Sequence, residues 1–144
     1  MRRQHVAVML GVVLVVAMVP VVTSHAQKPK DTSMTLRVSP QVSFSPARIV
    51  ATAELRDVDE TSAEFYCPGL EWDWGDGTTS EASFDCEPFE AGKTEIKKRY
   101  TSEHTYNTGG RYRVQLKLKR QRKVILTGSA SLQVRPGSRD GIGY

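Results

Sequence analysis

Trp72-Asp73-Trp74-Gly75-Asp76-Gly77-Thr78 is the stretch on which the fold turns. Trp72 and Trp74 lie two residues apart, so on an extended chain both indoles point to the same side. Such a pair can fill the space between two sheets, each ring burying an area worth a few kcal/mol. The strand must then end, because Asp76-Gly77 is a turn pair. The Asp side chain bonds to nearby backbone amides, and Gly accepts a positive φ. Gly75 likewise permits backbone that a Cβ would disfavour.

Outward from this strand the period stays at two. Leu70 shares the face of Trp72 and Trp74. Upstream, Met34, Leu36 and Val38 alternate with Thr35, Arg37 and Ser39; Val42 and Phe44 follow, then a turn-like Ser45-Pro46. Ile49, Ala51, Ala53 and Leu55 share one face of a strand from Arg48 to Arg56. Downstream, Tyr112, Val114, Leu116 and Leu118 oppose Arg111, Arg113, Gln115, Lys117 and Lys119. After the turn Arg120-Gln121-Arg122-Lys123, the positions Val124, Leu126, Ala130, Leu132 and Val134 share a face, with Gly128 as the expected bulge. Alternation over so many segments, with no sustained helical period outside the N-terminal segment, predicts an all-β antiparallel sandwich.

The ends read differently. Arg2 and Arg3 precede the charge-free apolar run Val6–Val19, and Ser24-His25-Ala26 sets small residues before a cleavage point, so residues 1–26 read as a signal peptide. The rival reading is a retained anchor, since Val6 to Val22 just reaches spanning length. Residues 27–33 read as a polar linker, 34–136 as the domain and 137–144 as a glycine-rich flexible tail. Export predicts that Cys67 and Cys86, the only two cysteines, form a disulfide. Cleavage would lower the formal net charge from +4 to +2, too little to mark a polyanion binder by bulk charge and giving no nucleic-acid partner. The charge is unevenly spread. Acids dominate from Glu54 to Glu95 and bases from Lys97 to Arg139, so the fold must either cancel the two halves or leave two poles.

A second stretch, His104-Thr105-Tyr106-Asn107-Thr108-Gly109-Gly110-Arg111-Tyr112-Arg113-Val114-Gln115-Leu116, completes a pair of motifs. Together with Trp72–Thr78 it resembles the signature of polycystic-kidney-disease (PKD) domains: a Trp-Asp-Phe-Gly-Asp-Gly turn, a His-x-Tyr corner and a Gly-x-Tyr-x-Val-x-Leu strand. Trp74 stands where that pattern has Phe. The resemblance spans roughly residues 34–135 and implies an Ig-like sandwich found outside the cytoplasm as a spacer or contact module. It implies structural roles for Trp72, Asp73, Trp74, Gly75, Asp76, Gly77, His104, Tyr106, Gly110 and Tyr112. One of Tyr106 and Tyr112 is expected to make a corner bond to backbone, and His104 to pack or bond to backbone. Compared with the family, the connections 57–69 and 78–103 look long. Each holds one cysteine, so Cys67–Cys86 is expected to tie them together.

Chemistry beyond structure has weaker support. Glu71, Asp73 and Asp76 are oxygen ligands of the kind calcium takes, yet the two aspartates belong to the turn motif, where bracing is the simpler role. Asp76 and His104 would be two members of a catalytic triad, but no activated nucleophile accompanies them. The expectation is therefore no enzyme, no metal and no cofactor. Arg111, Arg113, Lys117, Lys119, Arg120, Arg122 and Lys123 form a basic face that either binds an anionic polymer or is a solvated face guarding an edge, with no interleaved aromatics for stacking. The expected function is an exported contact module for a protein or glycan, without membrane insertion after signal cleavage; the alternative is a spacer subunit of an envelope assembly with no free ligand.

Overall fold

Extended chain must satisfy its backbone N–H and C=O groups on a neighbouring strand, and a one-sided apolar strand must bury that side against a second layer. The computed structural model describes residues 31–137 and shows how this chain does both. The expected signal peptide 1–26, most of the linker and tail residues 138–144 lie outside the described residues.

Eight strands follow in order among the described residues: β1 (Ser33–Ser39), β2 (Val42–Phe44), β3 (Ala47–Arg56), β4 (Gly69–Asp73), β5 (Thr79–Ala82), β6 (Arg99–Tyr106), β7 (Gly110–Arg120) and β8 (Lys123–Arg135). One sheet has the order β1-β3-β6 and the other β2-β8-β7-β4-β5. All ladders are antiparallel except β2 on β8, which is parallel. The alternation read from sequence maps onto the layers. Ile49, Ala51, Ala53 and Leu55 of β3, Leu70 and Trp72 of β4, and Val114, Leu116 and Leu118 of β7 are all buried in one core. The fold is an all-β, two-sheet Ig-like sandwich.

Three readings need correction. Residues 78–103 are not one long loop. Residues 79–82 form β5 and residues 99–106 form β6, leaving 83–98 as the connection. β5 escaped notice because all four of its residues are exposed, and β6 because polar Ser102 and His104 take inward positions between Tyr100 and Tyr106. The β7–β8 irregularity falls at Leu118/Lys119, whose partners are Leu126 and Val124, so Ile125 is the extra residue and not Gly128. That slip leaves Val124 exposed, although alternation put it inside. Gly128 serves a different need. A Cβ there would lie 2.6 Å from the Met34 sulfur, so the glycine lets β1 of the facing sheet approach β8.

The connections 57–68 and 83–98 are joined by the Cys67–Cys86 disulfide, with Cα atoms 6.3 Å apart. Each also sends one anchor into the core, Phe65 and Ile96. The acidic and basic halves interleave here. Lys117 bonds Glu71 at 2.7 Å, Lys119 pairs with Glu71 and lies 3.8 Å from Glu81, and Arg120 donates to the Ala63 carbonyl at 2.6 Å. Strand order therefore cancels much of the charge asymmetry at this end.

Candidate functional site

The paired motifs meet between the sheets. Trp72 and Trp74 stack with centroids 5.6 Å apart, and His104 from β6 stacks on Trp74 at 4.7 Å. Tyr106 meets His104 edge-on, and Tyr112 lies against Tyr106 at 4.3 Å. Both tyrosine hydroxyls are satisfied. Tyr112 donates to the Thr108 carbonyl at 2.9 Å, the local corner bond, while buried Tyr106 reaches across to the Trp74 carbonyl at 2.7 Å. Burial pushes the Tyr106 phenol well above its usual range.

The aspartates brace the turn. Asp73 accepts from the Gly75 amide at 2.9 Å, and Asp76 accepts from the Thr78 amide at 3.0 Å and the Thr78 hydroxyl at 2.6 Å. Gly75 is at φ +76°, and a Cβ there would lie 2.6 Å from the Arg113 carbonyl oxygen. His104 packs on the Trp74 ring, and its hydrogen-bond partner is a side chain rather than backbone, its Nε2 lying 2.7 Å from Asp76 Oδ2. Burial works to raise the Asp76 pKa, but the bonds from Thr78 and His104 outweigh it and hold the carboxyl below its ordinary value. Glu71, Asp73 and Asp76 do not converge, since Glu71 faces the lysines of β7. Among the described residues no group of three or more His, Cys, Asp or Glu side chains is placed to hold a metal ion. This cluster ties β4, β6 and β7 together.

The basic residues divide into two sets. Lys117, Lys119 and Arg120 are engaged at the disulfide end as described, with Arg122 and Lys123 exposed in and after the hairpin turn. Arg111 and Arg113 lie at the other end of β7, with Arg113 donating to the Ser129 hydroxyl at 3.0 Å. There Arg111 is opposite Gln133, and Gln133 is opposite Val42 of β2. Phe44 is opposite Arg135, whose guanidinium lies 6.0 Å from the Phe44 ring. Register partners share a face, so the structure brings an aromatic onto the basic face where local sequence showed none. Phe44 is 60% exposed. A shallow groove of about 510 Å³ runs here between Gln41, Arg111, Arg113, Ser131 and Gln133. None of Arg111, Arg113 and Arg135 has an acidic partner among the described residues, in contrast to Lys117 and Lys119. Of the missed members, Gln133 and Arg135 lie on β8, and Gln41 and Phe44 are brought beside them by the parallel β2–β8 ladder, which no local pattern announces.

No protein-family model matches this chain, and no curated protein matches it. Among solved structures, the chain is similar to the PKD domain of an M14-like peptidase from Thermoplasmatales archaeon SCGC AB-540-F20, at 19% identity and TM-score 0.47, covering 73% of this chain and 97% of that one. It is also similar to the CARDB domain of the PF1109 protein from Pyrococcus furiosus, at 12% identity and TM-score 0.47, covering 73% and 94%. Among the described residues no helix is long and apolar enough to cross a membrane. By its own strand order and register, the chain is an all-β, two-sheet sandwich with Ig-like strand order.

Proposed function

We propose that this chain is an exported, non-catalytic PKD-like module, residues 34–136, that makes protein or carbohydrate contacts outside the cytoplasm, and that its contact surface is the outer face near β2. One observation carries the reading. Arg111 and Arg113 line an exposed groove with Gln41, Ser131 and Gln133, and Arg135 and Phe44 stand beside it on β8 and β2; none of the three arginines has an acidic partner among the described residues. Guanidinium groups match carboxylates or sulfates in a fork geometry, amides and Ser131 match hydroxyls, and Phe44 offers a face for a sugar ring. The chemistry suits an acidic polysaccharide. A spacer would need no such grouping. The disulfide supports the extracytoplasmic half of the reading.

The test is retention of the mature chain on immobilised polygalacturonate and heparin, with dextran as the neutral control. Retention on the acidic polymers should fall with added salt. It should weaken by about tenfold, ~1.4 kcal/mol, in the Arg111→Ala/Arg113→Ala variant. Equal behaviour on dextran, or an unchanged double variant, would reject the reading in favour of the spacer.

A further inference from the structure

The gap between β5 and β6 holds features that neither the motif cluster nor the basic face uses. β5 and β6 are the outer strands of their sheets, each with a single ladder partner. Part of the backbone N–H and C=O groups of each strand therefore points away from the ladder. Between them lies a cleft of about 300 Å³, floored by Leu70 and Trp72 and edged by Ser80, Glu81 and Thr101. It adjoins a hollow of about 210 Å³ walled by Tyr66, Pro68 and the Cys67–Cys86 disulfide. Phe84, Lys97 and Tyr100 line both spaces.

Tyr100 sits where the two spaces meet. Its side chain is 3% exposed, and its hydroxyl has no hydrogen-bond partner among the described residues. A buried hydroxyl without a partner is costly and is uncommon in a relaxed core. Burial pushes its pKa up to about 12, so it remains a donor at neutral pH. Beside it, Phe84 is 47% exposed, and the Lys97 ammonium lies 5.5 Å from the Tyr100 ring and 5.7 Å from the Phe84 ring.

We propose that this gap is a docking groove for an extended peptide of a partner protein, which adds a strand to the free edge of β5, seats an apolar side chain against Phe84 and the disulfide, and places a backbone carbonyl on the Tyr100 hydroxyl. Main-chain bonds along a sheet edge supply affinity in this mode, and side-chain hollows supply selectivity. The peptide carbonyl satisfies the Tyr100 hydroxyl, the buried side-chain group left without a partner among the described residues. Lys97 lies over the Tyr100 ring and moves aside as the peptide enters. At the rim Glu95 offsets Lys97 and Glu81 lies 3.8 Å from Lys119, so little net charge remains and a neutral peptide is favoured. The groove is separate from the arginine face, so either proposal can fail without the other.

The experiment is selection of displayed random peptides, each about ten residues long to match a strand, on the mature chain. Selected peptides should carry a large apolar residue and raise hydrogen-exchange protection at residues 79–82. Tyr100→Phe, which keeps the ring, should weaken them by about fivefold, the loss of one hydrogen bond. Phe84→Ala should weaken them further, while Arg111→Ala/Arg113→Ala should leave them unchanged. Failure to select peptides would overturn the proposal. So would peptides that bind Tyr100→Phe and Phe84→Ala as tightly as the unaltered chain, or that are lost in the arginine variant.

Discussion

Trp72 and Tyr100 share the interior but stand in opposite energetic positions. Trp72 is 3% exposed, stacked on Trp74 and free of polar obligations that the fold leaves unmet. Its truncation to Ala leaves a cavity between the sheets and should cost about 3–5 kcal/mol, as buried aromatic truncations do. A denaturant titration showing a loss below about 1 kcal/mol would mean that the strand face is misassigned. Tyr100 instead buries a hydroxyl that no group among the described residues satisfies. Tyr100→Phe should therefore raise stability by about 1 kcal/mol, and a clear loss would reveal a partner for that hydroxyl. A site retained at the expense of stability is what a binding role for Tyr100 requires.

A third residue sets a pH dependence. Hydrogen bonds from Lys117 and then Lys119 hold the Glu71 pKa at about 2, down from 4.5, against the opposing effect of burial. The folded-state value lies below the unfolded one. The stabilisation is therefore complete above about 4.5 and is lost as pH falls through about 2. Thermal melts of the unaltered chain and Glu71→Gln should differ at neutral pH and converge in that acid window. A gap that persists at the acid end would assign the loss to packing and not to charge.

Among the elements, β3, β4 and β7 were legible because apolar residues hold every inward position, so a period of two marks both the strand and its buried face. β6 was hidden by its own polar residues: His104 and Ser102 stand inward, and Asp76 and the Trp74 ring offer His104 a bond and a stacking face there. β5 has no buried apolar residue to reveal it, since all four of its residues are exposed and its core-side positions are the small Ser80 and Ala82. The basic face was legible as alternation on β7, but its aromatic member was not, since Phe44 arrives through a ladder spanning most of the chain. The disulfide was legible from cysteine number and export context, whereas the core anchors Phe65 and Ile96 in the same connections were single apolar residues without a period.

Those anchors shape what the disulfide does. It closes a separation of 19 residues across β4 and β5, and the chain-entropy account gives such a loop roughly 3 kcal/mol. The Cys67→Ala/Cys86→Ala variant should lose about 2–4 kcal/mol. Hydrogen exchange should rise in 57–68 and 83–98 and stay low along β7, because Leu116 and its neighbours form the core without the bridge. Uniform loss of protection would show that the bridge is needed for the sandwich itself.

At the scale of the whole molecule, charge is what distinguishes the two ends. At the disulfide end, Glu71 and Glu81 meet Lys117 and Lys119, so these four charges offset one another. At the β2 end, Arg111, Arg113 and Arg135 stand beside Phe44 without acidic partners among the described residues. A surface that cancels charge in one place and leaves it uncancelled in another attracts an anionic partner to the second. The most direct test is amide chemical-shift mapping of the mature chain titrated with a galacturonate oligomer. Shifts should concentrate at residues 41–44, 111–113 and 131–135. Shifts confined to the β5–β6 gap, spread evenly over the surface or absent at saturating oligomer would contradict an arginine-face contact module.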